Sequence, residues 1–322
     1  MANDLIEPVN NIPATLTIDD FINHYLSFLD VRKTSKVKYK NYLEQFLLWL
    51  KGREISHPAR ENILEFKQYL QEKQLKETTI SAYLKAVKRL FEYLAKTNQY
   101  ENIAFGIKQP LINTGFKKLS LSVKEAQTLL FSIDKSGIIG KRDYAVINLI
   151  LHTGLRLIEV LRADTKDIKN EGENTLLYVQ GKGHDSKDAF VILTPSVIFA
   201  INDYLNMRNN YTEQPLFISH SKKNTEQKPQ RLSTTILSKI ISVRLKESGL
   251  DNPKITPHSL RHTAITFALM GGANLQEAKE LARHTNMQTT LIYAHNIDRV
   301  SAQAPEFKIE EMLKSQSPLL SS

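Results

Sequence analysis

Hydrophobic positions in the first third of the chain recur with the period of an α-helix. Four such stripes predict four helices, at about residues 18–29, 35–50, 60–72 and 78–96. Thr17 stands before the first stripe, where a helix N-cap belongs. No strand-like alternation interrupts the helices. The pattern therefore predicts a compact four-helix domain at residues 15–106, preceded by a short tail at residues 1–14.

The pattern changes after this region. Residues 107–119 contain Pro, Asn, Gly and a Lys-Lys pair, which is typical of a linker. Residues 120–305 are predicted to be mainly helical, with one β-hairpin formed by residues 176–180 and 189–193 around a polar loop. Residues 306–322 carry a short apolar face and then Ser and Pro. The predicted fold class is mainly α, with a small β-hairpin in the second domain.

Composition narrows the class of protein. Hydrophobic residues make up 41% of the 322 residues and charged residues 24%, which suits two packed domains. No apolar run approaches the roughly 18 residues that a membrane span needs, and the N-terminus lacks the pattern of a secretory signal. We therefore expect no membrane association and a cytoplasmic location. The absence of cysteine excludes disulfides, thiolate metal sites and a cysteine nucleophile.

The net charge of +9 fits a polyanionic partner, with nucleic acid as the leading candidate, and it fits a charge that only keeps the protein in solution equally well. Both halves of the chain are basic. Two basic stripes on the predicted helices of the first domain are candidate DNA-binding residues: Lys33, Lys36 and Lys40 on one helix, and Ser81, Lys85, Lys88 and Arg89 on another. Such stripes fit phosphate contacts, although either stripe alone fits a solvated helix face as well.

One segment of the second region is arranged like an anion site. Thr256 suits an N-cap and Pro257 the first helical position, which places His258 and Arg261 on one face of the first turn. The N-terminus of a helix also offers free N–H groups and positive dipole charge. The next helix is predicted to begin at Asn274 and to end near residues 283–284. Taken singly, these cations also fit capping or core roles.

Taken together, the polar motifs form an ordered set. The first is Thr153-Gly154-Leu155-Arg156 with Glu159, and Lys182 follows in the hairpin; the rest are His258-x-x-Arg261, Leu281-x-x-His284 and Thr289-x-x-x-Tyr293-x-His295. This set resembles the tyrosine recombinase (phage integrase) family. The likeness covers roughly residues 15–305, because the basic helical region resembles the SAM-like core-binding domain of that family.

The resemblance implies an enzyme that cuts and rejoins DNA without a metal ion, a nucleotide or another cofactor. It implies a role for each motif residue: Arg156 and Arg261 hold the phosphate, Tyr293 is the nucleophile and forms a 3′-phosphotyrosyl link, His258 accepts a proton, Lys182 protonates the leaving 5′-oxygen, His284 donates a hydrogen bond to the phosphate, and Glu159 orients the cluster. The implied partners are double-stranded DNA, three further copies in a homo-tetramer on paired sites, and an accessory protein.

Several positions depart from the family pattern. Arg283 stands where many relatives have Gly, and Asp188 where relatives often carry a base. Lys187 is a rival to Lys182 as the proton donor. His262 and His295 are expected to be structural or peripheral. The tail at residues 306–322 either docks on a neighbouring protomer or frays.

Two other functions compete with the recombinase. A type IB-like topoisomerase uses a similar residue set on one duplex, and a DNA-binding relative could keep the fold without cleaving. The short N-terminal tail favours a simple two-domain enzyme, Xer-like or from a mobile element.

Overall fold

The chain forms two compact units, residues 1–114 and 115–322. Its structure, a computed structural model, describes residues 18–111, 119–181, 186–208, 214–220 and 230–294. The N-terminal tail, most of the predicted linker, Lys182, His295 and the C-terminal tail lie outside these residues.

Within residues 18–111, the first unit contains four helices, as predicted. They are α1 (Ile18–Phe28), α2 (Lys33–Gly52), α3 (Arg60–Glu72) and α4 (Glu77–Lys96). Their apolar stripes meet in one core that is rich in aromatic rings, with Tyr25, Phe46 and Phe66 fully buried. The rings of Phe46 and Phe66 pack edge to face with centroids 5.0 Å apart.

The chain that leaves α4 packs against the same unit. Ile103, Ala104 and Ile107 are buried in the core of the first unit. Lys88 Nζ on α4 donates to the carbonyl of Ile107 at 2.9 Å, and Lys67 Nζ on α3 donates to the carbonyl of Lys108 at 3.2 Å. The beginning of the predicted linker is therefore held on the first unit.

The second unit is also mainly helical. Its described helices are α5 (Val123–Ser132), α6 (Ile138–Thr153), α7 (Leu157–Arg162), α8 (Pro195–Met207), α9 (Thr234–Glu247), α10 (Pro257–Met270), α11 (Leu275–Ala282) and α12 (Gln288–Ala294). Helix α6 is buried on nearly every side, including the polar Asn148 and Thr153. A helix buried all round forms the centre of the core, and α5, α8, α9 and α10 pack against it.

The predicted hairpin is part of a three-stranded antiparallel sheet. Strands β1 (Ile168–Glu171), β2 (Asn174–Val179) and β3 (Ala189–Leu193) follow one another in space as in sequence. Leu177 of β2 lies opposite Ile168 of β1 and Val191 of β3. The mainly helical fold class with a small sheet is confirmed, and the sheet has one strand more than predicted.

Helix α6 ends in a left-handed turn that fixes the chain after it. Gly154 has φ +61°, and its N–H donates to the carbonyl of Ile150 at 2.9 Å. A Cβ added at Gly154 would lie 3.7 Å from the side chain of Ala264 on α10. That distance is an ordinary van der Waals contact, so it is the positive φ that favours glycine at this position. The turn places Arg156 at the N-cap of α7.

In the described part of the chain, no helix has both the length and the apolar composition to span a bilayer.

Candidate active site

Arg156 and Glu159 form a closed local unit at the start of α7. Arg156 Nη1 donates to Glu159 Oε1 at 2.8 Å, and the Arg156 backbone N–H donates to Glu159 Oε2 at 2.7 Å. The Glu159 carboxylate thus satisfies an N–H group that the helix itself leaves unpaired. Arg156 Nη2 donates to the carbonyl of Arg283 at 3.1 Å, which joins α7 to the end of α11.

Arg261 lies on α10, which begins at Pro257 as predicted. The cap differs in detail: the Thr256 backbone N–H donates to Ser259 Oγ at 3.0 Å. The Arg261 guanidinium is buried, and it donates to the carbonyls of Gly154 and Ala282. It therefore joins the turn after α6 to the end of α11. Burial, together with the charges of Arg156 and Arg283, lowers the pKa of Arg261 to about 9.

Arg283 adds a third guanidinium to this cluster. Its φ of 52° is in the left-handed region, as in the C-terminal turns that Gly usually occupies. Arg283 Nη2 donates to Glu159 Oε2 at 2.9 Å, and Nη1 donates to the carbonyl of Leu281 at 2.8 Å. The sequence indicated extra charge at this position, but it did not indicate a shared ion pair with Glu159.

The charges in this cluster do not balance. Among the described residues, this cluster holds three guanidinium groups and one carboxylate: Arg156 and Arg283 form ion pairs with Glu159, and Arg261 interacts with it through charge. The Glu159 side chain has no exposed surface. Burial alone would raise the pKa of Glu159, but the charge of Arg283 and the hydrogen bonds and charge of Arg156 outweigh it, so the pKa is lowered. The carboxylate is therefore ionised at neutral pH, and the cluster keeps an excess of positive charge that suits an anionic ligand.

His284 and Tyr293 lie next to the guanidinium groups. His284 Nδ1 is 3.1 Å from Thr290 Oγ1, and the His284 ring is nearly parallel to the Tyr293 ring at a centroid distance of 6.1 Å. Burial and then the charge of Arg261 lower the pKa of His284 to about 4, so the imidazole is neutral at pH 7. Tyr293, on α12, is 4% exposed, and burial raises the pKa of its phenol although Arg261 and Arg156 oppose the rise.

His262 touches the phenol directly. Its Nδ1 lies 2.5 Å from Tyr293 Oη, and the two ring centroids are 5.2 Å apart. Of the two roles expected for His262, structural or peripheral, this contact contradicts the peripheral one. The available indication was its position directly after Arg261 on the predicted helix.

The remaining predicted catalytic residues are His258 and Lys182. His258 is exposed in the first turn of α10, four residues before His262. Lys182 lies outside the described residues. Its rival Lys187 is held in ion pairs: Lys187 Nζ lies 2.8 Å from Asp164 Oδ2 and also contacts Asp167. Lys187 is thus tied to the chain that follows α7.

The first basic stripe of the first unit is only partly available. Lys33 is exposed and Lys36 is half-buried. Lys40 Nζ lies 2.5 Å from Asp19 Oδ1 and 3.4 Å from Asn23 Oδ1. This cation therefore links α2 to α1 by an ion pair and a hydrogen bond.

Most side chains of the stripe on α4 form hydrogen bonds with other residues of the first unit. Ser81 Oγ donates to Gln109 Oε1 at 2.6 Å, Lys88 holds the Ile107 carbonyl, and Arg89 Nη1 donates to Tyr39 Oη at 3.1 Å. Lys85 is exposed. The structure thus leaves Lys33 and Lys85 as the exposed cations of the two stripes.

Comparison with known proteins identifies the family. Residues 120–299 match the model of the phage integrase family, and residues 18–98 match the model of the phage integrase N-terminal SAM-like domain. The chain belongs to the phage integrase family. Members of this family are tyrosine recombinases, so the protein is an enzyme of site-specific recombination that cleaves and rejoins DNA.

Several relatives resemble this recombinase over most of its length. Tyrosine recombinase XerD of Listeria innocua is 27% identical over 293 residues, which are 86% of this chain and 94% of the relative. The TnP I resolvase of Bacillus thuringiensis is 28% identical over 272 residues, which are 80% of this chain and 87% of the relative.

Solved structures share the fold. The XerH site-specific recombinase bound to palindromic difH substrate, a post-cleavage complex, has a TM-score of 0.66 at 21% identity, covering 87% of this chain and 79% of that one. The Tn1549 transposon integrase in complex with transposon right end DNA has a TM-score of 0.69 at 17% identity, covering 92% of this chain and all of that one.

Proposed function

We propose that this recombinase breaks one DNA strand at a time by attack of Tyr293 on a phosphodiester held by Arg156 and Arg261. The excess positive charge of the buried cluster carries this proposal. In the described residues, three guanidinium groups and one carboxylate from α7, α10 and the end of α11 form this cluster, and the charges of Arg261 and Arg156 act on the Tyr293 phenol. A phosphodiester in this place would supply the missing negative charge.

The chemistry follows from the residue types. A phosphodiester under attack gains negative charge on its non-bridging oxygens, and guanidinium groups offer fixed pairs of donors to them. Tyr293 Oη would bond to phosphorus while the bond to the 5′-oxygen breaks, leaving a 3′-phosphotyrosyl link. The energy of the ester is kept in this link, so a 5′-hydroxyl can reverse the step without a nucleotide cofactor.

The remaining groups have supporting roles. His284 would donate a hydrogen bond to a non-bridging oxygen, and neutral imidazole provides one N–H group for it. Lys182 would give the leaving 5′-oxygen its proton, a role that the family resemblance implies. Glu159 would hold Arg156 and Arg283 in place, because its carboxylate bonds both.

We further propose that four copies act together on paired double-stranded DNA sites in the cytoplasm, in contact with the nucleoid and with an accessory protein that sets direction. The similarity to Xer recombinases and to the TnP I resolvase supports a simple two-domain recombinase of this kind. Lys33 and Lys85 would contact DNA phosphates.

A nicked suicide substrate tests this proposal, because loss of a short 5′ fragment prevents rejoining and traps the covalent complex. We expect the wild-type protein to form this complex and to exchange strands between two sites. Relaxation of a supercoiled plasmid without strand exchange would instead favour a topoisomerase of type IB. Binding without covalent trapping would identify a non-cleaving relative.

A further inference from the structure

The contact between His262 and Tyr293 assigns a chemical role to a residue that the family motifs leave outside the catalytic set. We propose that His262 Nδ1 accepts the phenol proton of Tyr293 during strand cleavage. The inference rests on the proposed function, in which Tyr293 is the nucleophile. The two groups lie 2.5 Å apart, within the range for an O–H donor and a strong acceptor.

Tyr293 needs a proton acceptor because burial opposes its ionisation. Burial raises the phenol pKa above the ordinary value of about 10, and the charges of Arg261 and Arg156 do not cancel the rise. At pH 7 fewer than about one in a thousand such phenols are ionised. The proton must therefore leave as the attack proceeds, and it needs a base within hydrogen-bond distance.

The geometry favours His262 over the other two imidazoles of this region. His284 Nδ1 is engaged with Thr290 Oγ1, and the charged form of His284 is disfavoured, since its pKa is about 4. A base that holds a proton so weakly takes one poorly from a phenol. His258, to which the resemblance gives the acceptor role, is exposed one turn earlier on α10. His262 places a ring nitrogen within hydrogen-bond distance of the phenol oxygen.

The step balances in atoms and charge. In the neutral tautomer with its proton on Nε2, His262 presents a lone pair at Nδ1. As Oη bonds to phosphorus, the phenol proton moves to Nδ1 and gives an imidazolium. The bond between phosphorus and the 5′-oxygen breaks, and that oxygen takes a proton from the general acid. Rejoining reverses each transfer, so His262 returns the proton to Tyr293.

Two substitutions distinguish a His262 that accepts a proton from a His262 that only packs against Tyr293. His262→Ala removes the nitrogen. His262→Asn places an amide oxygen near the position of Nδ1, which keeps a hydrogen-bond acceptor but supplies no base. In single-turnover cleavage of the nicked substrate, we expect both variants to form the covalent complex about 10²- to 10⁴-fold more slowly than the wild type. DNA affinity and the thermal midpoint are measured alongside, with His57→Asn, an exposed histidine of the first unit, as the matched control.

A change in the acidity of the phenol gives the decisive readout. Incorporation of a fluorinated tyrosine at position 293 lowers the phenol pKa and lessens the need for a base. We expect the ratio of wild-type to His262→Ala rates to shrink by at least tenfold with this residue, which loss of packing alone would not cause.

Three results would overturn the inference: variants within threefold of the wild-type rate, full recovery in His262→Asn, or a ratio that fluorination leaves unchanged. If the proposed function is wrong, the result is different, because the wild-type protein itself would then form no covalent complex on the nicked substrate.

Discussion

Replacement of Glu159 by Gln removes the only carboxylate that the described structure places among Arg156, Arg261 and Arg283. The wild-type carboxylate accepts hydrogen bonds from Arg156 Nη1 at 2.8 Å, from Arg283 Nη2 at 2.9 Å and from the Arg156 backbone N–H at 2.7 Å. A glutamine has one amide oxygen and one NH₂ donor, so at least one of these contacts becomes donor against donor.

The size of the effect follows from burial. Removing one partner of a buried ion pair costs about 3–5 kcal/mol, because the other charge stays buried without compensation. Glu159 and Arg283 are buried, but the Arg156 side chain is 25% exposed and can recover water. We therefore expect Glu159→Gln to lower the free energy of unfolding of the second unit by about 3 kcal/mol.

Two optical probes can measure this loss. Far-ultraviolet circular dichroism follows both helical units in urea. Fluorescence of Trp49, the single tryptophan, reports on the core of the first unit, where the residue is 8% exposed. We expect the substitution to shift the dichroism transition of the second unit and to leave the Trp49 transition in place. Glu247→Gln, which alters an exposed pair with Arg244, is the matched control and should cost at most about 1 kcal/mol.

The dependence on pH has a definite sign. The pKa of Glu159 is lower in the folded protein than its ordinary value of about 4.3, so its contribution is present above that value and is lost as the pH falls through the folded pKa. The difference between wild type and Glu159→Gln should therefore shrink in acid. A variant within 0.5 kcal/mol of wild type at pH 7 would refute the account of Glu159 as the anchor of the cluster.

Three further predictions concern neighbouring groups. Lys182→Met should cleave ordinary DNA poorly, but its cleavage rate should recover on a strand with sulfur in place of the bridging 5′-oxygen, because a thiolate leaves without a proton. Lys187→Met, which breaks ion pairs to Asp164 and Asp167, should gain much less from the sulfur substitution. The pKa of His284 is about 4 in the folded protein, below the ordinary imidazole value, so protonation of His284 favours unfolding as the pH falls from 7 to 5. His284→Asn removes this effect, so the variant should lose less free energy of unfolding than the wild type over this range, by on the order of 1 kcal/mol. Lys33→Ala should reduce the slope of the logarithm of the DNA-binding constant against the logarithm of salt concentration by about one, without changing the thermal midpoint. Lys88→Ala should lower the thermal midpoint, because Lys88 donates a hydrogen bond to the Ile107 carbonyl.

Local patterns in the sequence predicted the positions of α1 to α4, α10 and α11, because amphipathic stripes and caps are encoded by neighbouring residues. Helix α3 has the predicted bounds. Helix α11 begins directly after its N-cap Asn274, whose Oδ1 accepts from the N–H groups of Gln276 and Glu277 at 2.9 Å. Strand β1 was missed. Its residues after Ile168 are exposed and polar, so no apolar alternation marks this short edge strand.

The motif residues could be named from the sequence, but their contacts could not. The ion pair between Arg283 and Glu159 joins residues 124 positions apart, and the contact between His262 and Tyr293 joins residues 31 positions apart. Such contacts depend on how α7, α10 and α12 pack. The α4 stripe shows the same limit, since only the fold reveals that the returning chain at residues 107–109 covers Ser81 and Lys88.

The chemical identity of the protein–DNA link tests the central claim most directly. The covalent complex formed on a nicked substrate can be digested with protease and nuclease, and the linked peptide can be sequenced by mass spectrometry. The account predicts a nucleotide joined through its 3′-phosphate to the peptide that contains Tyr293, and no adduct with Tyr293→Phe. A link to another residue, a 5′-phosphate link, or an undiminished adduct with the Phe variant would contradict it.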